Sequence, residues 1–249
     1  GVGIGAVRYG LLLALGVAGI GAFFLLDARR PRSRLFPSRP LDMRTQVGNG
    51  IVMMATFSVG TITFSVYGPL ILTSLHGVSL LTTGYIIAAE SIAWSILSIL
   101  VANARPRHER SIILAGSLMI FAGMIGFAWA VPAGNLPAIL ACAVLQGGGF
   151  GIAWPFVIRV IVSSADESER TVTSSAVPTM QRIGYAVGAA LAGIIANAAG
   201  FSRGLSGETA ESVAQWLFLA FLPFGVVGCL AAYRLLEGER RRLQQQAAK

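Results

Sequence analysis

Charge is scarce in this chain. Only 12% of its 249 residues are Asp, Glu, Lys or Arg, about half of the roughly 25% found in an ordinary soluble domain. A water-facing surface over a protein of this size needs more, so a soluble globular domain is excluded. Lysine is almost missing: Lys249, in the tail, stands alone. A retinal-binding protein, which needs a lysine in its last helix for the Schiff base, is therefore excluded, and no receptor-type Asp-Arg-Tyr or Asn-Pro-x-x-Tyr run occurs. The two cysteines, Cys142 and Cys229, each sit inside an apolar run. They have no disulfide or metal-ligand spacing and read as small hydrophobes. The two histidines, His76 and His108, fall in separate polar links. No His/Asp/Glu cluster lies within an apolar run, so the chain is not read as an enzyme and no cofactor or metal is implied.

What is abundant is apolar. Hydrophobic residues make up 55% of the chain and the mean hydropathy is +0.71. The charges gather in short blocks with long apolar runs between them. That is the pattern of a polytopic membrane protein, because a charge at mid-bilayer costs about 2.5–3.5 kcal/mol on insertion scales. A net charge of +8 would suggest nucleic acid in a soluble protein. Here the basic residues flank apolar spans, so membrane orientation explains them and no nucleic-acid partner is expected.

Seven runs are long enough to span, at 8–26, 48–73, 83–104, 111–131, 137–161, 173–200 and 213–236. Each approaches the roughly 20 apolar residues that a transmembrane helix needs. The links alternate in charge. The first holds Arg29, Arg30, Arg32, Arg34, Arg39 and Arg44, the third Arg105, Arg107 and Arg110, and the fifth is flanked by Arg159 and Arg170. Arg234, Arg240, Arg241, Arg242 and Lys249 follow the last run. The second and fourth links hold no Arg or Lys, and the sixth only Arg203. Sixteen of the 19 basic residues thus fall on one side; Arg8 and Arg203 fall on the other, and Arg182 lies within a span. The positive-inside rule then predicts an N-terminus outside and a C-terminus in the cytoplasm of a cell (inner) membrane.

The expected organisation is a leading transmembrane helix at 1–26, a basic cytoplasmic loop at 27–47, a six-helix unit at 48–236 and a cytoplasmic tail at 237–249. Residue 1 is Gly and the chain opens almost directly into an apolar run, so a piece of a longer protein is expected.

A helix facing only lipid gains nothing from polar residues, so stripes of them at helical spacing mark cavity walls. The third run carries Glu90, Ser91, Trp94, Ser95 and Ser98 on one face, and Glu90 is the one acid deep in any span. An intramembrane carboxylate is a functional candidate for binding a cation or carrying a proton, against a structural pairing with another helix. The second run lines up Thr56, Gly60, Thr63 and Tyr67, and the fifth Gln146, Phe150 and Trp154 through a glycine-rich stretch, 146–151. Those glycines permit close helix contact or a local break. They form no nucleotide loop, lacking the Walker Lys and any preceding strand. The sixth run shows Ser174, Pro178, Gln181, Arg182 and Tyr185 on one face. On another it repeats Gly184, Gly188, Ala192, Ala196 and Gly200 every four residues, a stripe for helix packing. The fourth and seventh runs lack such stripes and are expected to face lipid.

Several runs resemble the major facilitator superfamily, and within it the fourteen-helix drug:proton antiporter branch. They are Ala22-Phe23-Phe24-Leu25-Leu26-Asp27-Ala28-Arg29-Arg30, Pro40-Leu41-Asp42, Tyr67-Gly68-Pro69, Leu75-His76-Gly77-Val78-Ser79, Gly84-Tyr85, Gln146-Gly147-Gly148-Gly149-Phe150-Gly151 and the stretch from Gln181 to Gly188. The resemblance covers nearly the whole chain. It implies an all-α membrane protein, the six-helix C-terminal bundle of a major facilitator fold preceded by one extra helix, with an N-terminal half of the same transporter as its partner. The expected activity is secondary active transport by alternating access: proton-coupled efflux of a small amphipathic organic compound or drug. The alternative is a non-transporting membrane module or a channel-like homo-oligomer. The expected substrate or proton site comprises Glu90, Trp94, Tyr67, Thr63, Gln146, Phe150, Trp154, Gln181, Arg182 and Tyr185. The branch's antiporter signatures belong to the N-terminal half, and Arg105-Pro106-Arg107-His108-Glu109-Arg110 matches the repeated loop motif poorly.

Overall fold

A computed structural model describes residues 2–29, 34–199 and 207–247. Side chains are described from Leu11 to Gly238, apart from 12, 13, 106 and 207–210. Arg30, Arg32, Gly200, Arg203 and Lys249, and the side chains of Arg8, Arg240, Arg241 and Arg242, lie outside that set. The described residues form helices and no strand: α1 (Val2–Arg29), α2 (Gln46–His76), α3 (Leu80–Val101), α4 (Glu109–Ala130), α5 (Leu136–Ser164), α6 (Arg170–Ala198), α7 (Gly207–Leu219) and α8 (Leu222–Ala247).

Local chemistry sets the ends. Thr45 caps α2 by accepting from the Gly48 amide at 3.0 Å. The same helix stops at Gly77, whose φ of 63° is left-handed and whose N–H returns to the Leu72 and Thr73 carbonyls, a position that favours glycine. Ser79 caps α3 through the Thr82 amide at 3.1 Å, and Asn135 caps α5 through Ala138 at 3.1 Å. Pro69, Pro155 and Pro178 sit inside α2, α5 and α6 without ending them.

Among the described residues five spans are long and apolar enough to cross a membrane: α2, α3, α4, α5 and the stretch Glu211–Gly238 over α7 and α8. The sixth run of the sequence reading is a helix, α6, that is not among those five. The seventh run is broken. Ala220 and Phe221 form a turn, and Pro223 has no N–H to return to Leu219. α8 runs on to Ala247, so the described part of the expected tail is helical. At the other end, α1 reaches Arg29 and α2 begins at Gln46, which shortens the basic loop from both sides.

α2 and α5 are the centre of the bundle. α5 pairs extensively with α4 and α3, and α2 with α6 and α8. Of those five spans α3 is the least covered: 11% of its most apolar stretch is buried, against 39% for α4. Ile92, Ile96, Ile99 and Leu100 of α3 are exposed. The same open side of α3 also carries the exposed Ser91 and Ser95. α1 packs extensively on no other helix. It joins the rest through Phe23, Phe24 and Phe36, whose rings meet at 5.2–5.8 Å, and through Asp27, which accepts from the Leu35 amide at 2.6 Å and from the Phe36 amide at 3.2 Å.

The links group at two ends. The Ser38 amide donates to the Glu169 carboxylate at 3.2 Å, tying the basic first link to the fifth. Arg159 reaches Glu109 at 3.7 Å, next to the third. At the opposite end the His76 ring meets the Val131 carbonyl at 2.8 Å, joining the two links that carry no Arg or Lys. The alternation of charge along the chain is thus a separation in space.

Candidate functional site

Close helix contact builds the site. Lipid is as apolar as leucine, so helices in a bilayer associate through dense packing rather than burial of apolar surface. The glycine-rich run of α5 supplies it. A Cβ at Gly147 would strike the Glu90 carbonyl, and one at Gly151 the Trp94 carbonyl, so α3 lies directly against α5 there. A Cβ at Gly149 would come within 2.6 Å of the Gly116 carbonyl oxygen on α4. Ser98 adds a hydrogen bond to the Gly151 carbonyl at 3.0 Å. α5 passes through Pro155 unbroken, so the run is a packing surface between α3 and α4.

Register then brings side chains together. Gln146 Nε2 donates to Glu90 Oε1 at 2.9 Å. One turn along, Trp94 stacks on Phe150 with ring centres 5.0 Å apart and planes 8° apart. Trp154 meets Phe150 edge-on at 4.9 Å and Trp94 at 6.3 Å. On α6, Gln181 Nε2 donates to the Tyr185 hydroxyl at 3.1 Å, as i,i+4 neighbours do. Arg182 and Glu90 are both near enough to act electrostatically on that hydroxyl.

Between α3, α5 and α6 is an open cavity of about 500 Å³, within the range of small-molecule sites. Trp94, Trp154, Gln181, Arg182 and Tyr185 line it, with Ile158, Ser174, Val177 and Pro178. Five of the expected site residues therefore line one cavity, and Phe150 backs the Trp94 side of it from the stack. The others lie elsewhere. Glu90 is half-buried and does not line the cavity. Thr63 and Gln146 border a separate void of about 10 Å³ with Phe64 and Phe127, room for about one water. Tyr67 is on the α2–α6 seam, its hydroxyl 3.3 Å from where a Gly193 Cβ would be. A Cβ at Gly184 would meet Ser58 at 2.7 Å and one at Gly188 the Ile62 side chain at 2.6 Å, so that stripe abuts α2, with Ala192 wholly buried.

The sequence reading missed Ile158 and Val177, whose apolar side chains look like any lipid-facing residue until the cavity is seen. It also missed the Glu109–Arg159 pair, whose partners are 50 residues apart in sequence. Among the described residues no group of three or more His, Cys, Asp or Glu could hold a metal.

A helical bundle with a half-open aromatic cavity is shared by several membrane families, and comparison decides between them. The family model of the Major Facilitator Superfamily matches residues 107–249. The chain belongs to this superfamily. It is 28% identical over 240 residues to a protein named "Probable multidrug-efflux transporter" from Mycobacterium tuberculosis strain CDC 1551 / Oshkosh, and equally to its namesake from strain ATCC 25618 / H37Rv. The match takes in 92% of this chain and 48% of each relative. The superfamily chain described here thus spans about half the length of the curated relatives it matches.

Proposed function

We propose that this chain is the C-terminal half of a secondary active carrier of the fourteen-helix drug:proton antiporter branch. With an N-terminal half it exports a small amphipathic organic compound in exchange for protons, by alternating access. α2–α6 together with the broken α7–α8 span form the six-helix unit, and α1 is the helix before it. The protein spans the cell (inner) membrane with its N-terminus outside and its Arg-rich end in the cytoplasm.

The cavity carries this reading. In major facilitator carriers the substrate site lies between two halves near the bilayer midplane. Here the cavity is open, and its residues fall in the middle of long helices: Arg182 is twelve residues beyond Arg170, roughly 18 Å along α6. Indole rings and the Tyr185 face supply apolar wall, Gln181 and Arg182 supply polar anchors, and Glu90 supplies a titratable group beside Tyr185. The names of the Mycobacterium relatives agree with this class of activity.

The test is export from proteoliposomes holding the full-length transporter. A proton gradient should drive accumulation of amphipathic substrates, and Trp154→Ala should weaken it about tenfold, since an aromatic wall contributes on the order of 1–3 kcal/mol. Gradient-independent leakage of ions, or no flux across a broad substrate panel, would sink the carrier reading.

A further inference from the structure

We propose that the cavity selects an organic anion: a flat aromatic body placed against Trp94 and Trp154, with a single anionic group held at Arg182. The inference rests on the carrier reading above and adds the sign of the substrate's charge.

Arg182 is the one charged side chain lining the cavity; the remaining lining residues are neutral. It forms no ion pair with any described residue. The ion pairs among the described residues are Arg39–Asp42 and Arg159–Glu109, both away from the cavity. The carboxylate nearest in depth, Glu90, does not line the cavity and is engaged by Gln146 from α5. The lining that this chain supplies therefore carries one positive charge and no negative one. Arg182 is exposed to the open cavity, so an anionic group can reach its guanidinium there, and a charged side chain within a span is a natural partner for an opposite charge.

The chemistry around Arg182 suits an oxyanion. Its guanidinium presents several donors in a planar fork that matches a carboxylate or sulfonate. Gln181 and Tyr185 set an amide and a hydroxyl on the same helix, joined by their own bond at 3.1 Å. Trp94 and Trp154, across the cavity on α3 and α5, offer ring surface to a flat apolar body. A cationic compound of the same shape would meet Arg182 with no lining carboxylate to offset the repulsion.

The experiment uses the full-length transporter in proteoliposomes and two probes of matched size, naphthalene-1-sulfonate and 1-naphthyltrimethylammonium. Binding and proton-driven flux are measured for each in wild type, Arg182→Gln and Arg182→Lys. The sulfonate is expected to bind at least about tenfold more tightly than the ammonium, a preference lost in Arg182→Gln and partly kept in Arg182→Lys. Preference for the ammonium, or a sulfonate preference unchanged in Arg182→Gln, overturns the inference; the first result would mean that an acid from outside this chain pairs with Arg182, the second that the selecting charge is elsewhere. Flux of cationic or neutral amphiphiles with the sulfonate ignored overturns the charge inference and leaves the carrier reading standing. No flux of either probe, nor of a broad panel of neutral amphiphiles, overturns both.

Discussion

Gln146 on α5 donates to Glu90 on α3 at 2.9 Å, across the seam where the two helices press closest. The bond holds one oxygen of the single acid within the apolar runs. Glu90→Gln keeps the shape and removes the titratable group. In the full-length transporter it is expected to abolish flux driven by a proton gradient while substrate counterflow continues. Unchanged gradient-driven flux would rule Glu90 out as the proton carrier. Gln146→Leu removes the partner of a charged group, worth about 1.5–3 kcal/mol, and should shift the pH profile of transport.

The α3–α5 seam tolerates no added side chain. Gly147→Val and Gly151→Val would drive Cβ atoms into the Glu90 and Trp94 carbonyls. Each is expected to cost about 1–3 kcal/mol by overpacking, read as a lower midpoint of thermal unfolding in detergent. Gly84→Ala is the control. Nothing lies within 4 Å of its Cβ position, and alanine in a helix interior is favoured over glycine by up to about 1 kcal/mol. Equal loss at all three positions would dismiss the packing account.

Glu109 is 8% exposed and lies 3.7 Å from the Arg159 guanidinium, which also covers the Phe156 ring at 4.8 Å. Arg159→Leu strands a buried carboxylate and should destabilise the fold by about 1–3 kcal/mol. Adding Glu109→Gln should restore most of that loss. Additive losses in the double-mutant cycle would show that the two do not interact.

Orientation has a direct chemical test. Ser38 bonds Glu169 at the basic end, and His76 meets Val131 at the other. A cysteine at Ser38→Cys should react with a membrane-impermeant maleimide only from the cytoplasmic side, and one at His76→Cys only from outside. Labelling of both from one side would refute the proposed topology.

Much of the fold was legible in the sequence because apolar runs and arginine blocks are local signals. From α2 to α6 the helices start and stop within a few residues of the expected ends, whereas α8 runs eleven residues past the expected 236, and the charge alternation reappears as two separate ends. The break at Ala220–Phe221 was less visible: an apolar run conceals it, and Pro223 was the available warning. The site was legible residue by residue but not as an assembly. Glu90 and Gln146 were both singled out, yet helical periodicity says which residues share a face and not which faces meet. For the same reason Thr63 and Tyr67, picked from a polar stripe on α2, fall outside the cavity. Their hydroxyl face turns toward the α6 seam and a water-sized void. The glycines of α5 carried the deciding information, since a run with no side chains marks where backbones touch.

That clamp divides the cavity into two unlike walls. α5 is locked to α3 through Gly147 and Gly151 and to α4 through Gly149, so Trp94, Phe150 and Trp154 sit on a stiff template. α6 borders α5 far less closely and is seated chiefly on α2. Fit to a molecule's flat surface is therefore set in advance on one side. Tolerance for its bulk and the placement of its polar end belong to the other. On the proposed carrier function, mutations that broaden the range of exported compounds should accumulate on α6, and those that change which ring systems are accepted should appear around Trp94 and Trp154.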